Sequence, residues 1–576
     1  MIILGINAYH WDSSVALVVD GNLIGASEEE RFNRIKHFNG LPIESLIWLL
    51  DKSNIKFCEV DYICVPTDPT ENLKEKLFKA NFSKLWTGWA RHKKKVNMVS
   101  RILDELKTRD RIDLIGEGGH FPKVYNVEHH NAHIYSAVIP SGYEECAYLT
   151  LDAFGDYNSS KIGFYKNNRL ITLRKTTFPY SIGIFYTALT QYLGFENVGD
   201  EYKVMGLSPY GDETFFSEKM DKLISFKDGS FKMDLKYFNH LSGVEMNTVS
   251  GVNDLGLLYT LDLNSLLGLP PRLKNEELLQ CHMDLAAAVQ KKTERLIIEA
   301  VRFTHNLTGL NKIVISGGVG QNSVANGKII ENSGFDDLFI PTAAHDAGLS
   351  IGAALGFLVE RKLSIHSDTF KSAFLGYSAT DNDIEILINK CSHRIEYYEY
   401  DALIARVAQL LKDGLVLGWF QGSAEFGPRA LGNRSILTNP ARKDAKEIIN
   451  RKIKRRESFR PFAPSILSEL QHEWFQSAQS SIYMERVLMF RNDKIDKVPA
   501  VVHVDNSGRV QTVTRDSNAK YYDLISKFYE ITGVPMLLNT SFNENEPIVN
   551  TPIEAYHCFE RTDMDVLVVN DMIIYK

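Results

Sequence analysis

At 576 residues the chain is long enough for two or three domains with large cores. Its 65 lysines and arginines against 72 aspartates and glutamates leave a net charge of -7, which argues against a bulk nucleic-acid binder, a class that carries a basic excess. Six scattered cysteines without a CxxC pair suggest neither a disulfide framework nor a zinc ribbon, and no stretch reaches membrane-spanning length; a cytoplasmic enzyme is expected, with no nucleic acid and no membrane among its partners.

Residues 1–8 and 14–19 are apolar, Asp20, Gly21 and Asn22 make a hairpin turn, and 23–28 return, which predicts a three-strand meander. The pattern recurs at 146–152, 161–165 and 170–173, with a turn at 166–169. Each copy places an aspartate in the turn after its first strand: Asp12 in one, Asp152 and Asp156 in the other. Two such halves predict a duplicated α/β unit with a nucleotide or metal between them. The charge run from Glu28 to His37 reads as a solvated face, and the basic stretch 91–111 as a surface helix.

Residues 126–139 carry no Gly or Pro, predicting a short helix on which His129 and His133 share one face. Two imidazoles so spaced are half of a divalent metal site and need a carboxylate or water to complete it. His130 stands where a zincin would have glutamate, so a metalloprotease is not indicated. Isolated HxxxH pairs are more often structural, but here Asp152 follows as a candidate third ligand. Asp346, between a strand at 338–341 and the small-residue run 348–354, is the fourth. Lys203 lies in a motif that runs into a Pro209-Tyr210-Gly211 turn. The apolar strand 312–315 ends in Gly317-Gly318 ahead of Asn322, where backbone N–H groups can approach a phosphate or ribose.

Residues 362–383 lack a clear period and mark a domain boundary. A helix at 402–412 and a strand at 416–420 open the second domain. Between Arg442 and Arg460, nine of nineteen residues are Lys or Arg, a cluster that calls for a polyphosphate or RNA. The strand 503–513 and the loop 538–543 add Arg509, hydroxyls and amides suited to a ribose and phosphate pocket.

In this order and number, these stretches resemble the NodU/CmcH family of O-carbamoyltransferases nearly end to end. The resemblance implies an α/β protein with an N-terminal duplicated actin-like ATPase (ASKHA/RNase H-like) domain over residues 1–365. A C-terminal YrdC-like α/β domain would follow over 384–576. In the second domain carbamoyl phosphate and ATP, the latter with Mg2+, would give carbamoyl-AMP. Arg429, Lys454, Arg456, Arg460, Arg509, Ser541 and Asn543 would hold the phosphates and the carbamoyl group. The first domain would bind Fe2+ or another divalent metal through His129, His133 and Asp152, with Asp346 close. Lys203, Gly317, Gly318 and Asn322 would hold the nucleotide, while His10, Asp12 and Lys36 act on a small-molecule hydroxyl acceptor such as a natural product or sugar.

The family places a His directly before the Asp of the first turn; here Trp11 stands there, and His10 is read as the general base. A monomer or homodimer is expected. The alternative is a tRNA threonylcarbamoyl-adenosine-type modification enzyme, whose two domains normally sit on separate chains and whose tRNA the acidic charge disfavours. A hydrogenase-maturation carbamoyltransferase would carry cysteine-rich zinc modules that this chain lacks. An actin-like assembly module would leave Arg429, Lys454 and Arg509 without a task.

Overall fold

The apolar runs of the first meander form β1 (Ile2–Asn7), β2 (Ser14–Val19) and β3 (Asn22–Glu28), extended by β4 (Tyr62–Val65) and β5 (Lys123–Asn126). The second meander forms β6 (Glu145–Gly155), β7 (Asn158–Lys166) and β8 (Arg169–Thr177), extended by β9 (Lys312–Ser316) and β10 (Asp337–Phe339). The computed structural model describes residues 1–72, 97–117, 120–241, 246–249 and 252–576. The chain divides into two units, Met1–Lys371 and Ser372–Lys576.

The two five-stranded sheets of the first unit have one topology. Their orders are β3-β2-β1-β4-β5 and β8-β7-β6-β9-β10. In each, the first three strands are an antiparallel meander and the last two run parallel to the first. The parallel steps need helical crossovers. A further helix, His129–Ser141, joins the first sheet to the second. The duplication read from the two hairpins is therefore a duplication of whole sheets. One aspartate is placed differently from expectation: Asp152 lies within β6, where the β6–β7 register shifts, and only Asp156 occupies the turn.

The small-residue run has a packing cause. Helix Leu349–Glu360 is buried from Leu349 to Val359. A Cβ on Gly352 would stand 1.9 Å from the Ala132 carbonyl oxygen, so only glycine lets the two helix backbones come this close. That approach brings Asp346, three residues before the helix, beside the histidines.

The charge run departs from the solvated face expected of it. Glu28, Glu29 and Arg31 are 3%, 1% and 3% exposed. Glu29 accepts the Glu44 N–H at 3.0 Å, the Ser45 N–H at 2.9 Å and the Ser45 hydroxyl at 2.6 Å. Its carboxylate therefore serves the first turn of helix Ile43–Ser53, where donors are otherwise unmatched. The basic stretch is helical at Met98–Thr108 and buries Met98, Ile102 and Leu106; residues 91–96 lie outside the described residues.

The second unit is built on nine strands: β11 (Arg394–Tyr397), β12 (Leu417–Phe420), β13 (Arg434–Thr438), β14 (Ala463–Leu467), β15 (Arg486–Met489), β16 (Ser507–Val513), β17 (Met536–Ser541), β18 (Val566–Val569) and β19 (Met572–Tyr575). Their order is β11-β19-β18-β12-β13-β17-β14-β16-β15. Neighbouring residues go to opposite faces, as pleating requires. Phe420, Ile436, Leu538 and Leu567 join one core, while Trp419, Leu437, Leu537 and Val568 join the other. His503, expected in a strand, precedes β16.

Candidate metal and transfer site

The His129–Ser141 helix starts at Glu128, whose side chain accepts the Asn131 N–H at 2.8 Å, an N-cap. The His129 N–H donates to Asp156 Oδ2 at 3.0 Å, so two carboxylates seat the first turn. One helical turn apart, His129 and His133 are 2% and 0% exposed.

Ligand atoms of His129, His133, Asp152 and Asp346 all lie within 4.8 Å of one another. His129 Nε2 is 3.1 Å from Asp152 Oδ2, and His133 Nε2 is 3.3 Å from Asp346 Oδ1 and 3.5 Å from Asp152 Oδ2. His133 Nε2 and Asp346 Oδ1 are buried without an aligned hydrogen bond. Buried polar atoms that converge on one point without pairing fit a shared cation, and the two-imidazole, two-carboxylate set suits a divalent one. Burial opposes ionisation of Asp152, yet His129 and His133 hold it well below the usual carboxylate range. Burial also pulls His133 down, and the adjoining Asp152 and Asp346 more than reverse this, raising it to about 9. Positive charge is what this cluster demands. The intervening His130 is pushed down to about 3 by burial, and its Nδ1 meets Thr150 Oγ1 at 2.7 Å.

Beneath the helix, Lys161 and Glu128 form a buried ion pair at 2.6 Å, with Asn158 donating to Glu128 at 3.1 Å and Lys161 to Asn131 at 3.0 Å. Asp156 also accepts the Thr67 hydroxyl at 2.9 Å and the Asp68 N–H at 2.6 Å, tying the loop after β4 to the histidine helix.

His10 Nδ1 lies 2.7 Å from Asp346 Oδ2, and its ring is 5.2 Å from that of His129. Asp12 is outside the ligand set and pairs with another imidazole: its Oδ1 is 2.7 Å from His37 Nδ1. Lys36 is exposed. Lys203 pairs with Asp200 at 3.0 Å and lies over the Phe195 ring. The Gly318 N–H donates to Asp152 Oδ1 at 3.2 Å, and the Gly317 N–H to the Ala344 carbonyl at 2.8 Å. Asn322 caps helix Ser323–Ser333 and exchanges hydrogen bonds with Gln290 at 3.0 and 3.1 Å. These amides hold the protein together here, which the motif alone does not reveal.

In the second unit Arg509 is half-buried, and desolvation followed by the charges of Arg429, Arg456 and Arg460 presses its guanidinium far below its ordinary value. Its Nε has no hydrogen-bond partner. Arg456 Nε donates to Asn450 Oδ1 at 2.7 Å and its guanidinium lies over Phe462; Arg460 meets Glu457 at 3.4 Å. Guanidinium groups gathered in this way favour an anion among them. Lys454 contacts the other two residues expected at this site. Its amine is 1% exposed and donates to the Ser541 carbonyl, the Ser541 hydroxyl at 3.2 Å, the Asn543 carbonyl at 2.9 Å and Asn543 Oδ1. It braces the loop after β17. The Ser541 hydroxyl in turn donates to Asn543 Oδ1 at 2.8 Å.

The carbamoyltransferase N-terminus family model matches residues 2–355, and the carbamoyltransferase C-terminus model matches residues 408–576. The chain belongs to the carbamoyltransferase family. It is a transferase, of the type that includes the nodulation proteins NolNO, NolO and NodU. The nodulation protein NolNO of Sinorhizobium fredii is 34% identical, covering 99% of this chain and 80% of its own. The Synechocystis protein sll1178 is 36% identical over 100% of this chain and 96% of its own. NolO of Bradyrhizobium diazoefficiens is 34% identical over 78% of this chain and 79% of its own. The solved HypF of T. kodakarensis overlaps 64% of this chain and 49% of its own at a TM-score of 0.30 and 13% identity, too shallow to argue from. Among the described residues no helix is long and apolar enough to cross a membrane.

Proposed function

We propose that this carbamoyltransferase works in two ATP-dependent steps on a small-molecule hydroxyl acceptor. In the second unit, read as YrdC-like, carbamoyl phosphate and ATP give carbamoyl-AMP. Arg429, Arg456, Arg460 and Arg509 hold the phosphates and offset charge on the transferring oxygens. The first unit, read as a duplicated actin-like domain of 1–365, carries out the transfer; its doubled sheet order supports that reading. His129, His133, Asp152 and Asp346 would hold the metal, for which we favour iron(II). When bound, it supplies Lewis acidity toward the carbamoyl or phosphate oxygen. His10, oriented by Asp346, takes the acceptor's proton, and Lys36 stands at the same end of the first sheet. Keeping both steps within one chain protects a mixed anhydride that water destroys.

The observation that carries the first step is the crowding of three guanidinium groups on Arg509. Incubation with ATP should release pyrophosphate only when carbamoyl phosphate is present. A metabolite extract should then yield a carbamoylated alcohol detectable by mass spectrometry. Release of pyrophosphate without carbamoyl phosphate, or none with it, would refute the scheme. Carbamoyl transfer to tRNA in place of small alcohols would favour the threonylcarbamoyl-type alternative.

A further inference from the structure

The residues around His37 are arranged with a care that the scheme above does not use. Its Nδ1 lies 2.7 Å from Asp12 Oδ1, and its backbone N–H donates to Glu30 Oε2 at 3.0 Å. Both His37 and Asp12 have φ of 52°, a left-handed backbone that disfavours residues with a Cβ and collects at functional sites. The pair adjoins the metal cluster: Asp12 Oδ2 is 3.9 Å from His345 Nε2, and His345 directly precedes Asp346.

The other ring nitrogen faces the loop that leads into helix Glu201–Leu207, the helix that carries Lys203. A Cβ on residue 199 would sit 2.5 Å from His37 Nε2, so the ring can lie there only because Gly199, at φ +84°, has none. His37 keeps 36% of its side chain exposed, while Asp12 keeps 12%. An aspartate thus orients Nδ1, while Nε2 lies against Gly199 on a ring that is still partly open to solvent. This is the construction of an acid–base or anion-binding imidazole.

We propose that His37 is a further catalytic residue of the transfer step, donating a hydrogen bond from Nε2–H to the phosphate oxygen that leaves with AMP. This rests on the two-step reading above. The acceptor oxygen bonds to the carbamoyl carbon, and the bond from that carbon to the phosphate oxygen breaks with its electron pair on the phosphate. The acceptor's proton passes to His10, and His37 keeps its own. The charged groups that face His37 are Asp12 and Glu30, which favour its protonated form, Lys36, which opposes it, His345 beyond Asp12, and Glu201 on the facing helix. Burial alone would lower its pKa, but Asp12 raises it to about 9, so the ring is a donor at neutral pH.

The test uses the full chain loaded with metal and supplied with synthetic carbamoyl-adenylate. His37→Asn should keep the wild-type metal content but transfer at least about a hundredfold more slowly, the scale for losing one donor to a developing anion. Wild-type transfer should fall as pH rises through about 9, where His37 loses its proton, and the Asn variant should lack that fall. Asp12→Asn should shift the fall to lower pH. Transfer by His37→Asn within threefold of wild type, an unchanged alkaline fall, or loss of metal along with activity would each overturn the role. A wild-type protein that cannot transfer from carbamoyl-adenylate would instead overturn the two-step reading, and the role of His37 with it.

Discussion

His133 is the side chain on which the metal reading turns, since it is fully buried and its Nε2 is equidistant, within a few tenths of an ångström, from two carboxylates. His133→Ala should reduce bound metal at least tenfold and abolish transfer, yet spare pyrophosphate release by the other unit; wild-type metal content in that variant would refute the ligand assignment. Lys454 makes the contrary point. Its amine sits among oxygen acceptors of its own chain, so Lys454→Ala should destabilise the second unit by about 2–4 kcal/mol in urea unfolding, the cost of leaving such groups unmatched. Unchanged stability with a raised KM for carbamoyl phosphate would return Lys454 to the substrate. The sequence made the histidine pair legible because ligands four apart need only a helix. His10 with Asp346 and Asp12 with His37 were not legible as pairs, since 336 and 25 residues separate them and no local period links them. The buried Glu29 was misread for a similar reason: charge density is visible in a sequence, but the helix start that receives the charge is not.

The helix His129–Ser141 was predictable as an element, but its fixing was not. Glu128 caps it, and only the fold shows that Lys161, on β7, neutralises that carboxylate where both side chains are buried. Burial would raise the Glu128 carboxyl, but Lys161 outweighs burial and lowers it from 4.5 to about 2. A carboxyl depressed in the folded state adds stability above its unfolded pKa and loses it as pH falls toward the folded value. By that linkage Glu128 should contribute about 3 kcal/mol above pH 4.5, declining toward pH 2. Urea unfolding of Glu128→Gln should therefore show a deficit of this order at pH 6 that narrows by pH 3. A deficit that does not change with pH would mean the side chain matters by shape alone. Lys161→Met should be worse than neutral at pH 6, because it strands the buried carboxylate.

Across the molecule, the doubled order of the first unit's sheets was visible in outline from two hairpins, while the second unit's nine-stranded sheet was not, because its pairings run between distant segments such as Ala463–Leu467 and Met536–Ser541. The doubling has a consequence for the four ligands. The histidines come from the crossover between the sheets and Asp152 from the second sheet. The Asp346 segment is tied to the first: its carbonyl accepts from Asn7 at 3.1 Å, and the next carbonyl accepts from Ser14 at 2.7 Å. An ion held by all four is a removable cross-link that bridges residues 129 and 346. By mass action, free metal at a hundred times its dissociation constant should add about 2.7 kcal/mol to the first unit and nothing to the second. Calorimetry with and without chelator should show one transition moving by a few degrees while the other stays fixed. The same coupling makes the first unit's survival against protease a readout of metal supply.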